Sequence, residues 1–273
     1  MTCSDGLALA EFGEMPVSLG IELEASYAID HHEEGLSEPS GLAFASDGSL
    51  WTVGDKHRRL FRIDTEGKIL QRLDVGNRGL EGIAIGPDGC LWVVDEDSAK
   101  ILVYDSVSGA ELSDHRLDEL SGYQEIARDF DRHANKGLEG IAFDPLRSEM
   151  LLLKEDRPGM LIAVDATFNE IVSIELLDKE KGFVSDRADV DLSGICYDGR
   201  RDLFWIVSHQ AQSVFGFDRH SNAVTHRFEL HSDDDGNGVR QAEGIAVDDA
   251  GERLYVVGDK DETLFVYRLL TAT

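Results

Sequence analysis

Residues 80–97 read LEGIAIGPDGCLWVVDED. A short apolar run, Ile83-Ala84-Ile85, follows Gly82. A turn signal comes at Asp88-Gly89, then a second apolar run, Leu91-Trp92-Val93-Val94, ends in acids at Asp95 and Glu96. Two apolar runs separated by an Asp-Gly turn form a hairpin signal. The stretch recurs four more times. PSGLAFASDGSLWTVGDK starts at Pro39, LEGIAFDPLRSEMLLLKED at Leu138, LSGICYDGRRDLFWIVSHQ at Leu192 and AEGIAVDDAGERLYVVGDK at Ala242. Aligned on the residue before the shared glycine, the anchors are Ser40, Glu81, Glu139, Ser193 and Glu243, at spacings of 41, 58, 54 and 50 residues.

Each hairpin is followed by a third run, such as Ile101–Tyr104, and often by a fourth, such as Ile69–Val75 after the Glu66-Gly67 turn. Four short strands per repeat of about 40–50 residues make a propeller blade. The fold expected is all-β: one five-bladed β-propeller domain over residues 1–273, with blades near 31–76, 77–114, 137–178, 191–231 and 241–270. The fifth copy runs out after its third strand, and a spare strand near Ile21–Ile29 precedes the first copy. The N-terminal strand is therefore expected to complete the last blade, which removes two open sheet edges. Two inserts interrupt the ring. Residues 113–136 suggest a short helix, and 178–190 are charged. Both precede an anchor and so gather on one face, where binding loops collect.

The chain carries 26 Lys and Arg against 54 Asp and Glu, a net charge of −28. Such a surface repels nucleic acid and anionic membranes and attracts cations. Solubility accounts for much of it, and metal ligation is open for some of the carboxylates. No stretch approaches the ~18 apolar residues of a membrane span, and residues 1–15 do not read as a signal peptide. The three cysteines, Cys3, Cys90 and Cys196, show no paired spacing, which suits a reducing, cytoplasmic setting. A periplasmic or envelope location follows if a leader precedes this sequence. The expected state is a monomer.

In a propeller the first strand of each blade lines the central channel, and the antiparallel second strand returns its acidic end to the same mouth. The anchors then form one ring. Asp55, Asp95, Glu155, Ser208 and Asp259 form a second, with Glu96, Asp156 and His209 beside it. Unit charges a few Å apart at an effective dielectric near 20 repel by about 4 kcal/mol per pair, so protons, backbone N–H donors or a cation must offset them. An all-oxygen set with no cysteine suits Ca2+ better than Zn2+. The other reading is structural, each Glu binding backbone N–H groups of a neighbouring blade. Asp233-Asp234-Asp235-Gly236-Asn237-Gly238 matches half of a calcium loop but lacks the acid at position twelve, where Gly244 stands. It reads as a solvated turn. His31, His32 and His57 lie in polar loops. His209 falls where other blades place an acid, as a rim residue or a general base. No nucleophile elbow, phosphate loop or HExxH is present.

The strings LEGIA (80–84), KGLEGIAFDP (136–145), LSGICYD (192–198) and AEGIAVDD (242–249) resemble the SdiA-regulated (YjiK-like) family of bacterial proteins, from Ile21 to Arg268. The resemblance implies a five-bladed propeller with a calcium site at the channel mouth. It carries over to Glu81, Glu139 and Glu243, and to Asp95, Glu155 and Asp259. Many relatives carry a membrane anchor or leader. The family has no established reaction. The function expected is a module that uses this mouth to bind a divalent cation and a small molecule or protein. The alternative is a metal-dependent hydrolase of lactones or esters.

Overall fold

The structure is a computed structural model that describes residues 19–54, 58–76, 79–96, 98–131, 137–155, 158–185, 190–233 and 235–271. Strand β1 (Leu19–Ala28) comes first. Blade one is β2–β5 (Pro39–Phe44, Leu50–Gly54, Arg59–Ile63, Ile69–Asp74). Blade two is β6–β9 (Leu80–Ile85, Leu91–Asp95, Lys100–Tyr104, Glu111–Arg116). Blade three is β10–β13 (Leu138–Asp144, Glu149–Lys154, Met160–Asp165, Ile171–Leu176). Blade four is β14–β17 (Gly194–Asp198, Leu203–Ser208, Ser213–Asp218, Ala223–Glu229). Blade five is β18–β20 (Ala242–Val247, Arg253–Gly258, Thr263–Thr271), and its sheet order is β1-β20-β19-β18. The N-terminal strand is thus the outermost strand of the last blade, as expected.

Hydrophobic burial explains the layering. Second and third strands, such as LWVVD in β7 and SVFGFD in β16, are buried almost throughout, because blades cover both their faces. Outermost strands such as β1 and β5 alternate between half-buried and exposed positions, with one face to solvent. Five apolar clusters hold the ring, each lying between two neighbouring blades. The expected helix in the first insert is short, Ala127–Asp131, and follows two 3-10 turns. Leu117, Leu120 and Ile126 of this insert join the cluster between blades two and three.

The anchor glycines close the channel. A Cβ on Gly82 would stand 2.6 Å from Gly140 Cα, and one on Gly244 would stand 2.6 Å from the Gly41 carbonyl carbon. A Cβ on Gly194 would meet Glu243 O at 2.5 Å. Backbones of adjacent inner strands touch here, and only hydrogen fits. Gly82→Ala is expected to lower the melting temperature by roughly 2–10 °C, the effect of overpacking by about 1–3 kcal/mol. Gly76→Ala is the control, since its Cβ would meet no atom within 4 Å. Equal melting of the two variants would refute the close-approach explanation.

Candidate metal centre at the channel mouth

Local backbone geometry aims the anchors inward. In blades three and five the strand register slips by one residue at the anchor. Leu138 pairs with Lys154 and Gly140 with Leu153; Ala242 pairs with Gly258 and Gly244 with Val257. Glu139 and Glu243 are the extra, unpaired residues of these bulges. A bulge re-aims the side chain it carries. A similar irregularity falls across Glu81 and Gly82 in blade two.

Strand pairing also identifies the second ring. The last residue of each second strand pairs with the first of the third: Asp95 with Lys100, Lys154 with Met160, Ser208 with Ser213 and Gly258 with Thr263. Asp95 and Ser208 are therefore counterparts of Lys154 and Gly258. The ring is one residue further on, at Glu96, Glu155, His209 and Asp259. In blades two, three and five these residues make the same backbone bond, Glu96 N–H to Gly79 O, Glu155 N–H to Gly137 O and Asp259 N–H to Gln241 O. The expected ring was thus displaced by one residue in blades two and four, because successive side chains point to opposite faces. Asp95 is buried, and its Oδ1 accepts from Ser98 N–H at 3.1 Å. Ser208 donates to Asp191. Asp55, Asp156, His57 and Asp234 lie outside the described residues.

These side chains surround a cavity of about 450 Å3. Glu81, Glu139, Glu243, Glu96, Glu155 and Asp259 all line it, and each of the five blades contributes a carboxylate. Carboxylate oxygens of Glu96, Glu139 and Glu155 lie within 4.8 Å of one another. Ser40 Oγ donates to Glu81 Oε2 at 2.6 Å, so a serine anchor holds the glutamate of the next blade. The Glu139 carboxylate has no hydrogen-bond donor among the described residues, which disfavours the structural reading at this position. Burial pushes its carboxyl well above the usual range, and the charges of Glu81, Glu96, Glu155 and Glu243 push it further. Burial pushes Glu243 up to about 7, against the pull of His209 and Gln241. Asp259 is buried too. Its Oδ2 meets Lys260 Nζ at 2.9 Å, and its Oδ1 has no partner among the described residues.

The donor set fits calcium. With Ca–O distances of about 2.4 Å, one ion reaches oxygens up to about 4.8 Å apart. Glu96, Glu139 and Glu155 would hold it, with Glu81 and Glu243 beside them. An orphaned carboxylate oxygen such as Asp259 Oδ1 carries a desolvation cost that a cation or its water offsets. The opposite end of the channel is a recess of about 230 Å3 of mixed character, walled by Phe44, Ile85 and Phe143 together with Tyr197 and Asp249.

Two features escaped the sequence reading. Glu96 passed as a neighbour of Asp95, and Asp191, the first residue of the expected fourth blade, was given no role. A signal for Asp191 exists in hindsight. Both serine-anchored blades carry an acid two residues upstream, Glu38 before Ser40 and Asp191 before Ser193, and both acids line the cavity. The loop at Asp233 is a closed turn. Its Oδ1 accepts from the N–H groups of Asp235 and Asn237, and its Oδ2 from Asn237 Nδ2.

Among the described residues no helix is long and apolar enough to cross a membrane. The fold is similar to the Myxococcus xanthus glutaminyl cyclase, at 15% identity over 95% of this chain and 100% of that one, with a TM-score of 0.66. It is also similar to the PQQ-bound aldose sugar dehydrogenase of Streptomyces coelicolor, at 14% identity over 93% and 99% of the two chains, with a TM-score of 0.53. A luciferin-regenerating enzyme shares 14% identity over 90% and 94%, with a TM-score of 0.51. At these identities the likeness is one of fold. The SdiA-regulated profile matches residues 22–267, nearly the whole chain. With its five bladed repeats and their Ser/Glu anchors, the chain belongs to the SdiA-regulated family.

Proposed function

We propose that the acidic mouth holds a calcium ion and presents it to a small-molecule or protein ligand, so that the propeller works as a cation-dependent binding module. The observation that carries this reading is the convergence of Glu96, Glu139 and Glu155 within 4.8 Å. The unpartnered, buried oxygen of Asp259 in the same cavity supports it. Calcium-sized spacing and the oxygen donors of Glu96, Glu139 and Glu155 favour a ligand approaching from this face.

Calcium that binds only the folded protein stabilises it by about 2.7 kcal/mol at a hundredfold excess over Kd, roughly 5–10 °C in melting temperature. Glu139→Gln is expected to abolish most of that gain while leaving the fold intact. The check is thermal melting of rigorously metal-free protein, with and without calcium. Identical curves would end the cation reading. The hydrolase reading is favoured by one observation, a histidine on the same rim held by a buried aspartate.

A further inference from the structure

Blade four departs from its neighbours at three places. Its anchor is Ser193, its second-ring position carries His209 rather than an acid, and Asp191 stands two residues before the anchor. These departures converge in space. Asp191 Oδ2 lies 3.2 Å from His209 Nδ1. Asp191 Oδ1 accepts from Ser208 Oγ at 2.9 Å and from Gln210 N–H at 2.8 Å. The aspartate side chain is 4% exposed and the histidine 38%. Burial pushes the Asp191 carboxyl up, but His209, the Gln210 N–H and Ser208 together hold it below its usual range.

A buried, fully bonded carboxylate fixes both the orientation and the tautomer of the imidazole it faces. Nδ1–H donates to Asp191, which leaves Nε2 as the basic nitrogen. Among the described residues Nε2 has no hydrogen-bond partner, and the ring borders the same cavity as the glutamates. A histidine with a purely structural role more often satisfies both nitrogens inside the protein.

From this geometry we infer that Asp191 and His209 form a proton-transfer pair for hydrolysis of an uncharged ester or lactone, with His209 exchanging the proton and Asp191 positioning it. The inference rests on the cation reading of the same mouth. Carboxylates from every blade disfavour an anionic substrate. A cavity of about 450 Å3 accommodates a small acyl compound. The carboxylate product shares the sign of the walls, which assists its release.

The step balances with water as the only co-reactant. His209 Nε2 takes a proton from water as the water oxygen bonds to the carbonyl carbon, and the carbonyl electron pair moves to oxygen. When that pair returns, the C–O bond to the alcohol breaks. The departing alkoxide takes the proton from Nε2. Ester and water become acid and alcohol, and the acid releases its proton to solvent. Glu96, Glu139 and Glu155 would hold the cation, which would supply positive charge for the developing oxyanion.

Two measurements test this. The first needs no turnover: imidazole nitrogen NMR of metal-free protein should show His209 as the Nδ1–H tautomer, with that preference lost in Asp191→Asn. The second uses 4-nitrophenyl acetate and simple γ- and δ-lactones with added calcium. His209→Asn and His209→Gln should each lower kcat at least ~100-fold while keeping the calcium-induced melting shift. Asp191→Asn should lower it at least ~10-fold. A calcium shift in the wild type without hydrolysis overturns this inference alone. So does hydrolysis unchanged in both His209 variants, or an Nε2–H tautomer. An absent calcium shift overturns the cation reading and this inference with it.

Discussion

A chain that begins at Ile29, and so lacks β1, is expected to melt more than ~10 °C below the full-length protein or to lose its cooperative transition. β1 pairs with β20 along its whole length, from Leu19 opposite Thr271 to Ala28 opposite Thr263, with one irregularity between Leu23 and Ala25. Its inward residues Leu19, Ile21 and Leu23 pack on the cluster between blades four and five. Ala25 and Tyr27 pack on the cluster between blades five and one. Partial burial of such side chains contributes about 1 kcal/mol each, about 5 kcal/mol together. For a domain of this size that corresponds to roughly 10–20 °C. The ion pairs Arg253–Glu24 and Arg268–Glu22 add little, because they are exposed. Removal of β1 also leaves β20 as a long, bare edge, which invites association between chains. Calorimetric melting and size-exclusion chromatography report both effects, and a 19–28 peptide added in trans should restore part of the loss. A truncated chain that melted with the full-length protein would show that closure by β1 does not hold the ring.

Without calcium, stability is expected to fall as pH rises from 6 to 8. Burial raises Glu243 from 4.5 in an unfolded chain to about 7 in the folded protein. Between those values the native state binds more protons than the unfolded state, so stability declines with rising pH. Once both states are ionised, the folded protein bears the full cost of a buried charge, about 3 kcal/mol for this one gap. Glu139, raised by the same burial and by its glutamate neighbours, acts in the same direction. His209, raised by its bond to Asp191, loses its stabilising charge as pH climbs through its folded value, again in the same direction. Asp191 is lowered, so its contribution is already complete at pH 6. Calcium is expected to oppose the trend, because a bound ion would favour ionised carboxylates and displace their protons. The difference in melting temperature between calcium and chelator should therefore widen from pH 6 to pH 8. Glu243→Gln should flatten the metal-free slope. Titration calorimetry in two buffers of different ionisation enthalpy would count the protons released. A calcium effect independent of pH would show that these glutamates do not titrate against the ion.

Much of this protein is legible in the chain itself. The five copies around Ser40, Glu81, Glu139, Ser193 and Glu243 set the blade number, because each is a strand-turn-strand unit that cannot bury its apolar faces alone. The missing fourth strand of the last copy and the spare strand before the first determine the closure by β1. The anchor glycines follow from the same repeat, since inner strands of a five-blade ring approach to backbone contact there. The order of the acids around the mouth was not legible. Asp95 and Glu96 are adjacent acids, and Ser208 and His209 adjacent polar residues; which of each pair faces the channel depends on strand register. That register is decided by the pairing of whole sheets, and a slip of one residue moves a side chain to the opposite face. The bulges that turn Glu139 and Glu243 inward leave no mark in composition. Asp191 stands two residues before a serine anchor, as Glu38 does, but its meeting with His209, 18 residues on, arises only because the segment entering blade four packs beside the end of β15. Sequence determined the scaffold and the supply of carboxylates at one mouth, through periodicity and turn chemistry. Tertiary structure alone decided which carboxylates share a cavity and which histidine faces them, because that depends on distances between strands of different blades.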